Sequence, residues 1–133
     1  MTGAHSSCRA LSEHIRILVY SGDVDGCVPT HGTETFFLRA LGMDVAQRWA
    51  PWRCENDDGH FVKAGYHEKF GGTKHGLDFV TVNGAGHMVP QYKPREAYTF
   101  MRRWLRGEEL AAEHGVAARR QETVLAQRLQ VAV

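Results

Sequence analysis

No block of like charge runs through this 133-residue chain, whose formal net charge is +1. A basic face for nucleic acid or an anionic membrane needs such clustering, so neither partner is expected. The pair Arg119–Arg120 reads as a solvated helix face. No apolar run approaches the roughly 18 residues that span a bilayer, so no membrane crossing is expected. The opening stretch MTGAHSSCRALSEH lacks a basic segment followed by an apolar one, and so carries no signal-peptide pattern. Cysteine is scarce. Cys8, Cys27 and Cys54 form no CxxC pair, and their odd number leaves at least one free or bonded outside the chain. Eight histidines are present, but HExxH and regular ligand spacings are absent, so no metal site is expected. His67-Glu68 lacks the second histidine of such a motif. GxxxxGK[ST] is missing too, which removes a phosphate loop, and no cofactor is implied. Low complexity and internal repeats are likewise absent.

What is present belongs to a folded chain. Hydrophobic residues make up 43% and charged residues 23%, enough to build a core. Ile15 to Tyr20 is a nearly continuous, β-branched run ending at Ser21-Gly22-Asp23, the pattern of a strand buried on both faces. Pro29-Thr30 opens a helix on which Phe36, Phe37, Ala40 and Leu41 share a face, with Gly42 as its stop. Val45–Trp52 and Phe61–Phe70 suit a hairpin around the polar turn Glu55–Gly59. After Gly71-Gly72 and Gly76, Asp78–Val82 reads as a second buried strand. Pro94 begins a helix with Ala97, Met101, Trp104 and Leu105 inward, Arg102, Arg103 and Arg106 mostly outward, and Gly107 at its end. Residues from about Ala111 onward read as a separate, exposed or loosely docked helix. Strand, loop, helix twice over is the rhythm of an α/β fold with a mostly parallel sheet and flanking helices.

In such sheets reactive groups sit on loops leaving the carboxyl ends of strands. Asp25, in Gly22-Asp23-Val24-Asp25-Gly26, and His87, in Gly84-Ala85-Gly86-His87, both occupy that position. A carboxylate held after a buried strand can orient an imidazole, and small residues before a histidine let the backbone turn and present it. Either segment alone reads equally as an ordinary polar loop. Together, Asp before His at successive strand ends follows the chain order of the last two members of a Ser…Asp…His triad.

The stretches IRILVYSGDVDGCVPTHGTE and LDFVTVNGAGHMVPQYKPREAYTFMRRWLRG, with Trp49-Ala50-Pro51-Trp52 between them, resemble the C-terminal part of the serine carboxypeptidases. The resemblance runs from about Ile15 to Gly107. It implies the C-terminal portion of an α/β-hydrolase domain over 15–107, a lead-in over 1–14 and a helical extension over 108–133. It further implies Asp25 as triad acid, His87 as general base, Asp23 as a structural residue and Met88 as lining the pocket for the departing residue, unless Met88 simply packs. A peptide substrate follows from the same resemblance, as does a lysosomal, vacuolar or extracellular setting. The family's nucleophile sits in a GESYAG-like elbow, and no GxSxG occurs here; Ser6, Ser7, Ser12 and Ser21 stand outside any such pattern.

Without nucleophile and oxyanion hole this chain is expected to be inactive alone. Completion would come from the nucleophile-bearing part, in one polypeptide or as a second chain of the same enzyme. An acyltransferase or lyase relative, and a binding protein descended from the enzyme, are the alternatives. Strand residues Ile17, Val19, Phe79, Val80 and Val82 are expected to lack covering neighbours, which would make the chain partner-seeking.

Overall fold

The computed structural model describes residues 4–38 and 41–111. Helix α1 (Ala4–Leu11) precedes strand β1 (Ile17–Gly22). A single α-helical turn, α2 (Thr30–Gly32), runs on as a π-helical segment over Thr33–Leu38. Strands β2 (Asp44–Glu55), β3 (Phe61–Gly71) and β4 (Leu77–Val82) follow, then the short α3 (Val89–Tyr92) and the long α4 (Pro94–Arg106). The expected strands, hairpin and Pro94 helix are all present. The helix after Pro29 is present but π-wound over most of its length; Leu41 is buried, and Ala40 lies outside the described residues. The helix expected beyond Ala111 lies outside them too.

One sheet in the order β1-β4-β3-β2 carries the fold. It is mixed, which corrects the expectation of a mostly parallel sheet. Among the described strands only β1 and β4 run parallel, with Ile17 beside Leu77 and Gly22 beside Val82. The β2–β3 and β3–β4 pairs are antiparallel. The reason is connection length. A parallel neighbour needs a crossover of a dozen or more residues, and the turns after Glu55 and Gly71 are far shorter. Only the long excursion between Gly22 and Leu77 can bring a strand back in the same direction.

Alternation along the strands sorts the core into two layers. On one face Trp52, Val80 and Val82 pack with Ala97 and Phe100 of α4 and with Leu110. On the other, Phe70, Leu77 and Phe79 pack with Leu41, joined by the half-buried Cys8, Ile17, Val19 and Trp49. All of β4 but the half-buried Asp78 is therefore buried, and Phe79, Val80 and Val82 are covered rather than bare. The expectation for β1 is also corrected. Ile17, Leu18 and Val19 are only half-buried and Tyr20 is exposed, because β1 is an edge strand among the described residues.

A close backbone approach locks the sheet centre. A Cβ on Gly65 would fall 1.8 Å from the Thr81 carbonyl oxygen, so only glycine fits there. The same carbonyl accepts a 2.9 Å hydrogen bond from the Trp52 indole. On α4, Arg103 is buried rather than solvated, donating to the Arg53 carbonyl at 2.9 Å, while Leu105 points outward. Both reverse the sequence-based faces. Arg16, just before β1, donates to the Trp104 and Leu105 carbonyls at 2.7 and 3.1 Å and lies over the Trp104 ring. A cation there satisfies the helix C-terminus, which Gly107 closes in the left-handed conformation.

Candidate functional site

The parallel register of β1 and β4 puts their carboxyl ends side by side, at Gly22 and Val82. The loops leaving them are joined by main-chain hydrogen bonds. Asp23 N donates to the Val82 carbonyl and Val24 N to that of Ala85, each at 3.1 Å. The Asp23 carboxylate accepts from Gly84 N at 2.6 Å. A Cβ on Gly22 would lie 2.1 Å from the Ala85 carbonyl oxygen, so the two loops meet this closely only because residue 22 is glycine. Asp23 thus acts as a tie between loops.

That tie brings Asp25 and His87 together. Asp25 Oδ2 is 2.9 Å from His87 Nδ1. The other oxygen, Oδ1, accepts from Cys27 N at 2.8 Å and Val28 N at 3.1 Å, which fixes the carboxylate in its own turn. The hydrogen bond from His87, helped by those two amides, holds the Asp25 carboxyl below its usual range against the opposing effect of burial. The carboxylate therefore only accepts, and Nδ1 carries the proton. Nε2 is then the basic nitrogen. The Asp25 side chain is 6% exposed and that of His87 is 56% exposed, so the pair has a buried acid end and an open base end. Such a unit can take a proton from an incoming nucleophile and return it to a leaving group.

Met88 follows His87 and is exposed, and no described contact distinguishes it from a surface methionine. Among the described serines, Ser21 is buried and shares a 2.9 Å hydrogen bond with the Thr30 hydroxyl, while Ser12 donates to the Arg9 carbonyl. Both have structural partners. The three cysteines are free; Cys54 is buried, with its sulfur 3.3 Å from the Thr99 hydroxyl.

A second Asp–His pair was not foreseen. His67 of β3 is fully buried, and its Nε2 lies 2.7 Å from Asp78 Oδ1 of β4. Asp78 Oδ2 accepts from the Trp104 indole at 2.8 Å. Burial pushes the Asp78 carboxyl up, but the hydrogen bonds from His67 and Trp104 outweigh it and leave the carboxyl below its ordinary range. Nothing in the local sequence marks this pair. Its signal is the strand register, which sets His67 opposite Val80 and so puts residues 67 and 78 on one face.

Residues 3–107 match the family model of the serine carboxypeptidases. Over 99 residues the chain is 43% identical to serine carboxypeptidase 1 of Hordeum vulgare, which covers 74% of this chain and 18% of the relative. Serine carboxypeptidase-like 21 and 20 of Arabidopsis thaliana are 41% and 44% identical over 95 residues, 71% of this chain and 17% of each relative. The chain thus spans under a fifth of the length of the curated relatives it matches. It belongs to the serine carboxypeptidase family.

Proposed function

We propose, from that membership, that this chain is the acid–base segment of a serine carboxypeptidase-like hydrolase that releases C-terminal residues from peptides. In this reading it is the C-terminal portion of an α/β-hydrolase domain, inactive until joined to the part bearing the nucleophile. The observation that carries the reading is the 2.9 Å Asp25–His87 contact on adjacent strand-end loops, with the imidazole side chain 56% exposed.

In the completed site a serine hydroxyl would sit against His87 Nε2. As its oxygen attacks the carbonyl carbon of the last peptide bond, the proton passes to Nε2. Asp25 stabilises the imidazolium and holds its tautomer. The same proton then goes to the leaving amine, the C–N bond breaks, and water repeats the sequence on the acyl-enzyme. Met88, one residue beyond the base and exposed, is proposed to line the space for the departing residue. The half-buried β1 edge is the place where further sheet would be added. A lysosomal, vacuolar or secreted setting accords with the family; no described helix is long and apolar enough to cross a membrane.

The test joins this chain to the N-terminal part of the barley relative, replacing that protein's own matching segment. The joined protein is expected to release C-terminal amino acids from peptides. Product analysis with peptides and with acyl esters separates hydrolysis from transfer to another acceptor. Release that persists when Asp25→Asn and His87→Ala are introduced together would overturn the proposal.

A further inference from the structure

On the Phe79 face of the sheet, next to the ends of β1 and β4, lies an open cavity of about 330 Å³. Neither Asp25 nor His87 lines it. Its aromatic walls are Trp49 and Tyr66, whose rings meet edge to face at 6.2 Å. Two hydroxyls in the lining are already engaged. Thr30 donates to the Gly22 carbonyl at 2.9 Å, and Thr81 accepts from Tyr66 N at 3.0 Å. The polar groups left over belong to Asp23, Glu34 and Asn83.

Most of that remainder accepts hydrogen bonds and carries negative charge. Glu34, half-buried in the first turn of the π-helical segment, has no ion pair or side-chain hydrogen bond among the described residues. Asp23 gives Oδ1 to Gly84 N and keeps its second oxygen. Close to Glu34 stands a further carboxyl, Glu68, two residues along β3 from Tyr66 on the same face and 8% exposed. Burial first, and the charge of Glu34 next, push that carboxyl up, while Arg48 and His67 act against them. This end of the sheet is therefore short of positive charge. The Tyr66 ring already attracts one cation from outside the lining: Lys63 Nζ lies 4.9 Å from its centroid and 3.2 Å from its hydroxyl. Carboxylates beside aromatic rings, with no cation in the lining, suit a flat organic cation. A guanidinium can stack on a ring while its N–H groups reach a carboxylate. An anionic ligand would meet Glu34 and Asp23 with like charge, and an apolar one would desolvate both without compensation.

We propose that this cavity binds the guanidinium of a peptide arginine, stacked against Trp49 and Tyr66 and bonded to Glu34, with Asp23 and Asn83 as further acceptors. Asp23 then has two roles, because it also ties together the loops of Asp25 and His87. The proposal does not depend on the catalytic reading, and its test reads binding alone.

The test titrates the full 133-residue chain with N-acetylarginine amide, which carries no charge but its guanidinium, and follows the backbone amides of Glu34, Tyr66 and Asn83 by heteronuclear NMR. N-acetylcitrulline amide, the neutral isostere, is the comparison. Saturable shifts at those three amides are expected with the arginine compound, with affinity about tenfold above that of the citrulline compound. Glu34→Gln should weaken arginine binding by about tenfold with the β4 signals in place. Trp49→Leu should weaken it by about fivefold. If Trp49→Leu unfolds the sheet, the Glu34→Gln result decides, because Glu34 lies outside the sheet. Equal binding of the arginine and citrulline compounds would overturn the proposal. So would arginine binding indifferent to Glu34→Gln, tighter binding of N-acetyllysine amide, or no saturable shift up to about 20 mM.

Discussion

Two Asp–His pairs lie among the described residues, and they differ in everything but their contact. Asp25–His87 spans two loops at 2.9 Å, with the imidazole open to solvent. His67–Asp78 spans two strands at 2.7 Å, with the imidazole wholly enclosed and the carboxylate tied to Trp104. In the first, the free nitrogen can meet another molecule. In the second, His67 Nδ1 is buried and has no hydrogen-bond partner among the described residues. Contact alone therefore does not mark a reactive pair. The open face does.

The same contrast separates the two sheet edges. Strand β2 is interrupted by three register shifts, contains Pro51 and carries Arg48, Arg53 and Glu55, all features that keep an edge from pairing further. Strand β1 pairs with β4 in an unbroken register, and Ile17, Leu18 and Val19 stay half-exposed. One edge is finished, and the other has the character of an interior strand. Both contrasts fit a segment whose open site and open edge lie at the same end of the sheet order.

Four experiments sharpen or break the first comparison. The largest effect is expected for His87→Ala in the joined protein described above. It should lower the rate of C-terminal residue release by about 10³-fold or more, because on the proposed function the general base is lost, with only a small loss of thermal stability, since Asp25 keeps its two amide donors. His67→Ala should do the opposite. It leaves the Asp78 carboxylate without its buried partner and should cost about 3 kcal/mol in denaturant unfolding, with activity per folded molecule retained.

Acid should separate the pairs next. Asp25 and Asp78 both have folded carboxyl values below their usual range, so each stabilises the fold above about pH 4 and loses that contribution as pH falls through its folded value. Unfolding curves between about pH 5 and 2 should decline, and less steeply in the His67→Ala protein, where Asp78 no longer has its main stabilising hydrogen bond. An equal decline in both would break the assignment. The smallest effect is expected for Trp104→Phe, which keeps the ring and removes one hydrogen bond to Asp78. It should cost about 1 kcal/mol, measured by the same unfolding curves.

Much of this was legible in the residues. Strand-end loops around Asp25 and His87, the hairpin and the Pro94–Gly107 helix follow from apolar runs and their punctuation. What was not legible depended on partners distant in sequence. Arg103 can be buried because the Arg53 carbonyl, 50 positions away, accepts a hydrogen bond from its guanidinium. The mixed sheet follows from connection lengths that periodicity does not report. His67–Asp78 emerges only once the register is known.

The most direct measurement of the central claim is the intact mass of this chain after exposure to a serine-reactive fluorophosphonate, alone and when joined to the nucleophile-bearing part of the barley relative. The account predicts no added mass on the isolated chain. In the joined protein it predicts one adduct, on a serine of the added part, that is lost when His87 becomes alanine. An adduct on one of this chain's own serines, or labelling of the joined protein that is indifferent to His87, would contradict it.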